Sequence, residues 1–172
     1  MPLCYASDEL LEVGRAELLL WAAVRGLPPV DFLLHGYGVD LLPSGYFLMV
    51  GASPEQSDWP ATPFPKKVGL RLHLTSLAIL VEPLSPNAVR TILVASVDTR
   101  RTSLPAFLVN LVVKYLLGLL FYQQGKAAKK MRTKPDGNPH VLAQQTRTYF
   151  YRDWLIPKVL ATIEALRGKS ES

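Results

Sequence analysis

The sequence predicts an α+β domain in which about six antiparallel strands form a meander, one long helix follows, and an extra helical tail ends the chain. Three observations carry this. Apolar and polar residues alternate with period two in short runs through the first hundred residues. A Pro-started, very apolar segment then runs from Pro105 into a lysine cluster. Finally, Lys134-Pro135-Asp136-Gly137 breaks the chain, and Asn138-Pro139 restarts it as an N-cap with Pro at the first helical position.

Ala16 to Arg25 is a dense apolar run ended by Gly26-Leu27-Pro28-Pro29, whose prolines cannot supply ladder donors. From Val30 the chain alternates: Val30, Phe32, Leu34 and Gly36 fall on one face, and Asp31, Leu33, His35 and Tyr37 on the other. The first face is dry and the second mixed. Pro43-Ser44-Gly45 turns into a strand over Tyr46 to Val50, and Ser53 to Pro65, with four prolines, reads as a loop. Leu70, Leu72 and Leu74 alternate with Arg71, His73 and Thr75, and Leu77, Ile79 and Val81 alternate with Ser76, Ala78, Leu80 and Glu82. Pro83 to Pro86 is a further turn, and Thr91 to Val97 completes the meander.

Between Ala106 and Tyr122 only Asn110 and Lys114 are strongly polar, which makes this helix a marginal membrane-span candidate by length. The spacing favours a different reading. Asn110, Lys114 and Gly118 recur every four residues as one polar or open stripe, with Val109, Val113, Leu116 and Leu120 on the other side, as expected of a helix lying across a sheet. Residues 139–167 read as largely helical, kinked or split at Pro157, with Tyr149, Phe150, Tyr151 and Trp154 concentrated there. Those rings either pack the tail onto the domain or sit at a membrane interface; packing is the favoured reading.

At 172 residues, 49% of them apolar, the chain suits one domain with a full core. The lone Cys4 excludes an intrachain disulfide framework and a cysteine-rich metal site, and the start shows no basic region followed by an apolar run; cytoplasmic residence is the expectation. The net charge of +5 is uneven. Residues 1–100 hold 7 Lys/Arg against 10 Asp/Glu, and residues 101–172 hold 12 against 4. Lys126, Lys129, Lys130, Arg132 and Lys134 suit an anionic membrane surface, to which the chain would bind peripherally; the bland alternative is a solvated helix end complementing the helix dipole. Nucleic acid fits less well, because no stacking aromatics interleave with these cations. No catalytic residue, metal site or cofactor is expected. His35, His73 and His140 lie far apart in sequence, Gly36-Tyr37-Gly38 is too short for a phosphate loop, and Asp98 with Arg100 and Arg101 reads as a turn with a surface ion pair.

The order of the pieces resembles the end of a START domain, the steroidogenic acute regulatory protein-related lipid transfer module. In that family a last strand ends in Asp, and a Pro, an apolar or aromatic residue and Val-Asn open the C-terminal helix; here these are Asp98, Pro105, Phe107, Val109 and Asn110. Val30-Asp31-Phe32 resembles the family's Arg-Asp-Phe-Val strand, Gly45 to Ser53 the next strand, Gly69-Leu70-Arg71 its Val-Arg strand, and Ile79 to Pro83 its apolar strand ending in Pro. The resemblance covers residues 16–131, with residues 138–168 as the added tail. It implies a helix-grip fold, a curved antiparallel sheet wrapped on the long C-terminal helix around a lipid-sized tunnel. Phe32, Leu34, Leu72, Leu74, Leu77, Ile79, Val109, Val113, Leu116 and Leu120 would face that tunnel.

Two departures stand out. Val30 replaces the family's Arg, and nothing before Ala16 matches the family's N-terminal helices and first three strands. Thr91 to Val97 should therefore be an exposed edge. Three explanations compete: a fragment or isoform of a longer protein, a tail that plugs the gap, or a homodimer through that edge. The functional expectation is binding, and transfer between membranes, of one hydrophobic lipid. The alternative is a degenerate START-like scaffold without a pocket, for protein interaction or membrane recruitment. Some helix-grip relatives are enzymes, but nothing in this chain marks such chemistry.

Overall fold

Alternating apolar residues commit most of the first hundred residues to strands, and the computed structural model joins them into a single sheet. It describes residues 4–25, 29–85, 88–101 and 105–170. The expected turn residues Gly26, Leu27, Pro28 and Pro86 lie outside the described residues. The strands are β1 (Cys4–Gly14), β2 (Glu17–Val24), β3 (Val30–Leu41), β4 (Tyr46–Ala52), β5 (Leu70–Leu72), β6 (Leu74–Ser85) and β7 (Ala88–Val97). Their order is β1-β2-β3-β4-β6-β7, all antiparallel, with β5 beside β3 in parallel register.

Two differences from the sequence expectation have local causes. The run from Leu70 to Thr75 is divided, because β5 pairs Val30↔Leu70 and Phe32↔Leu72 whereas β6 starts at Leu74 against β7. Gly69 makes the entry possible: its φ is +76°, and a Cβ there would lie 2.3 Å from the Pro29 carbonyl oxygen, which accepts from the Leu70 N–H at 2.8 Å. β1 adds a strand before Ala16 that the alternation did not reveal. Its pairing with β2 is shifted at three places, so its side chains do not keep a clean period of two.

The mixed face of β3 is not left open. Asp31 is fully buried on it, and its carboxylate accepts from Arg71 Nη2 at 2.6 Å, Arg71 Nε at 3.1 Å, Trp21 Nε1 at 3.1 Å and the Val68 N–H at 3.0 Å. Burial alone would push this carboxyl up; the Arg71, Trp21 and Val68 donors outweigh it and hold the group below the usual carboxylate range. The same bonds tie the end of the 53–69 loop to the sheet. Ser53 ties its start, donating from its hydroxyl to the Leu33 carbonyl at 2.8 Å and accepting from the Leu74 N–H at 2.9 Å. Trp59 meets His35 edge-on at 5.0 Å between ring centroids, and Leu19, Ala23 and Leu33 are buried.

Helix α1 (Ala106–Thr133) follows the Asp98 turn, where Asp98 pairs with Arg100 and Arg101 at the surface. Its Val109 is fully buried against Val30, Leu70 and Leu72, with Phe32, Val97, Val112, Val113 and Leu116 around this cluster. The tail comprises α2 (Pro139–Thr146), α3 (Thr148–Phe150), a π-helical turn Tyr151–Leu155 and α4 (Ile156–Ser170). Asn138 caps α2 by accepting from the His140 N–H at 3.0 Å. Pro157 is the second residue of α4, directly after the π-helical turn, so the irregularity in the helical tail falls just before it.

Arg71→Met should destabilise the fold by about 3–5 kcal/mol in urea titrations, because it strands a buried carboxylate; Asp31→Leu with Arg71→Met should recover most of that loss. The pH dependence has a definite sign. Asp31 has a folded pKa below its unfolded value of about 3.9, so its contribution is present above that pH and lost as pH falls through the folded value. Asp31→Asn should flatten this acid limb of the stability curve.

Candidate functional site

Strand register places one set of side chains on the sheet face opposite the 53–69 loop. The pairs Leu20↔Leu34, Leu18↔Gly36, Gly38↔Met49 and Met49↔Ile79 bring β2, β3, β4 and β6 together there. Between this face and the tail lies a cavity of about 340 Å³, near the lower end of ligand-pocket sizes. Its floor is Leu18, Leu20, Leu34, Gly36, Gly38, Phe47, Met49, Leu77 and Ile79. Arg147, Tyr149, Phe150 and Tyr151 form the opposite wall, and Arg15, Ala16 and Tyr37 the rim.

The tail is held there by a ladder of polar contacts to the sheet. Arg147 Nη2 pairs with Glu9 Oε2 at 2.6 Å, the Tyr149 hydroxyl donates to Glu12, Lys158 pairs with Asp40, and the Thr162 hydroxyl donates to the Leu42 carbonyl at 3.0 Å. The Glu9 carboxylate raises the Arg147 pKa, the Glu12 carboxylate raises that of Tyr149, and Lys158 lowers that of Asp40. Trp154 packs edge-on against Phe47 at 6.4 Å and beside Phe150 at 5.3 Å.

The residues expected to face a tunnel are divided between two places. Leu34, Leu77 and Ile79 line the cavity. Leu72 and Val109 are buried in the cluster at the start of α1, with Phe32, Val113 and Leu116 packed against it. Leu74 is buried at the β6 start, and Leu120 is half-buried on α1. Neither of these last two lines the cavity. Lys126, Lys129, Lys130, Arg132 and Lys134 are all exposed on the second half of α1 and just beyond it. Phe107, Leu111, Tyr115 and Tyr122 are exposed on one face of that helix; the first is 70% accessible. Among the described residues α1 is the one helix long and apolar enough to cross a membrane, and 6% of its most apolar window is buried.

Sequence reasoning missed the far wall of the cavity. Tyr149, Phe150 and Tyr151 stood out as an aromatic cluster, but nothing in spacing linked them to Leu34 or Ile79. Glu9 and Glu12, which receive the tail, lie on the strand whose bulges hid it. Among the described residues, no group of three His, Cys, Asp or Glu side chains could hold a metal ion. His35 bonds Glu17 at 2.9 Å and His73 lies 3.8 Å from Glu55.

A long antiparallel sheet followed by a C-terminal helix is the START-like helix-grip arrangement, and the protein has this fold. The crystal structure of human STARD10 aligns with 91% of the chain at a TM-score of 0.62 and 16% identity. The human StarD13 (DLC2) lipid transfer and protein localization domain aligns with 56% of the chain at a TM-score of 0.46 and 17% identity. The chain spans 58% of the STARD10 chain and 48% of the StarD13 chain. No family model and no curated protein sequence matches it.

Gly36 offers a direct probe of the cavity. A Cβ there would make only ordinary contacts, with the Val50 carbonyl oxygen at 3.5 Å and Leu34 Cδ2 at 3.7 Å. Gly36→Ala should therefore fold with stability changed by no more than about 1 kcal/mol. It should also take up less of a neutral apolar fluorescent dye than the parent chain in equilibrium titrations.

Proposed function

We propose that this protein binds a hydrophobic lipid in the cavity between sheet and tail and carries it between membranes. The observation that supports this most directly is the apolar floor built by four strands and roofed by an aromatic segment, on a START-like fold. Leu34, Leu77 and Ile79 contact the ligand, with Leu18, Leu20 and Met49 beside them. Affinity comes from apolar ligand surface removed from water, at roughly 25 cal/mol per Å² before the costs of ordering and association. Phe32, Leu72, Val109, Val113 and Leu116 seat α1 at the Val30 end of the sheet and do not line the cavity. Movement of α1 on that seat extends the cavity toward Leu74 and Leu120 when a longer ligand enters.

The protein meets the bilayer peripherally, from the cytoplasmic side, through α1. Phe107, Leu111, Tyr115 and Tyr122 share one exposed face, and Lys129 and Arg132 continue it at helical spacing. Aromatic rings and lysine stems are favoured at a membrane interface, and each lysine near an anionic surface contributes about 1 kcal/mol. A second reading, a scaffold without a working pocket, draws on the modest cavity volume.

Native mass spectrometry of the chain purified from cells without detergent separates the two. The expected result is a stoichiometric adduct that extraction identifies as a lipid and that Ile79→Trp abolishes; a folded, lipid-free chain would establish the scaffold instead. Replacing Lys126, Lys129, Lys130, Arg132 and Lys134 by Gln should lower binding to phosphatidylserine-containing vesicles by at least about tenfold in flotation assays. Binding to neutral vesicles should be unchanged.

A further inference from the structure

The tail is not attached uniformly. Its α4 end is anchored at the Leu42 turn, where Thr162 and Ile163 are buried and Lys158 pairs with Asp40. The segment over the cavity is held differently. Arg147 reaches Glu9 and the Tyr149 hydroxyl reaches Glu12, both on β1, through contacts that are open to solvent. The π-helical turn Tyr151–Leu155 lies between the two parts, a break in regular helix where bending is easiest.

Charge is divided in the same way. Asp8, Glu9 and Glu12 stand on β1, whereas the segment that covers the cavity carries Arg147 and follows α2, beyond the exposed cluster from Lys126 to Lys134. An anionic surface attracts the second group and repels the first. Ion pairs exposed to water are weak and screened by salt, so two such contacts can close a cavity without locking it.

We propose that the segment from Arg147 to Tyr151, which follows α2, is a lid over the cavity, latched to β1 by Glu9 and Glu12, and that an anionic lipid surface releases it by competing with Glu9 for Arg147. This rests on reading the cavity as the lipid site and supplies the step by which that site opens at the membrane. The trigger acts where a ligand would be collected or delivered. In bulk water the lid is shut and the apolar floor is shielded.

Hydrogen–deuterium exchange of the full chain tests this, with the β3 and β4 amides as the internal measure of folding. Exchange across the lid should rise roughly tenfold with phosphatidylcholine–phosphatidylserine vesicles and stay unchanged with pure phosphatidylcholine. Arg147→Gln with Tyr149→Phe should give the same rise without vesicles while β3 and β4 remain protected. Should that variant unfold, Arg147→Glu alone against Arg147→Glu with Glu9→Arg decides, since the reversed pair restores protection only where the two side chains form the latch. Equal exchange with both vesicle types, or no recovery in the reversed pair, overturns the lid. The readout needs no bound lipid. A responsive lid on a chain of lipid-free mass therefore sinks the ligand reading, and an unresponsive lid on a lipid-loaded chain sinks the lid alone.

Discussion

Asp31 is a carboxylate with no exposure to water, and the fold around it answers that cost. Trp21 on β2 and the Val68–Arg71 run, two separate parts of the chain, supply the donors that bond it. Meeting their partner brings β5 alongside β3 and closes the 53–69 loop over one sheet face. The closed loop in turn buries Leu19, Ala23 and Leu33. It also places Leu70 and Leu72 beside Val30, the pocket into which Val109 fits. The seat of α1 thus depends on a polar contact on the opposite side of the sheet.

The two faces of the sheet therefore do different work. One is filled by a loop pinned through a charge pair and is structural. The other is shared between α1, at the Val30 end, and the tail, at the Asp40 end, with the cavity opening between tail and strands. Neither helical element covers its share completely. Phe107, Leu111 and Tyr115 on α1 stay exposed, as do Ile92 and Val94 on β7, which has β6 on one side only. Among the described residues the tail's side-chain bonds go to β1, β3 and the Leu42 turn rather than to that edge, so the strand edge and the cavity are separate features of the surface.

Several parts of this arrangement were legible because they follow from short-range rules. The alternation through β3 and β6, the Pro105 start of α1, the Asn138 cap and the Asp98 turn each depend on a few neighbouring residues. Val109 could be assigned to the inward side of α1 from helical spacing. Leu34, Leu77 and Ile79 could be assigned to one sheet face from parity. β1 escaped because its pairing with β2 is bulged, and the break between Leu72 and Leu74 escaped because the alternation continues through it.

By itself the sequence determined most of the strands after Ala16 and the helices, which side of them would be apolar, and where its basic charge would gather. These are set by backbone sterics and side-chain periodicity within a few residues. Only the tertiary structure decided what each apolar side would touch. Asp31 and Arg71 are 40 positions apart, and Glu9 and Arg147 are 138 apart. Pairing at such distances depends on strand order, register and the path of the tail, none of which leaves a local signature. For the same reason the cavity wall came from Tyr149, Phe150 and Tyr151 rather than from the helix that most resembled one.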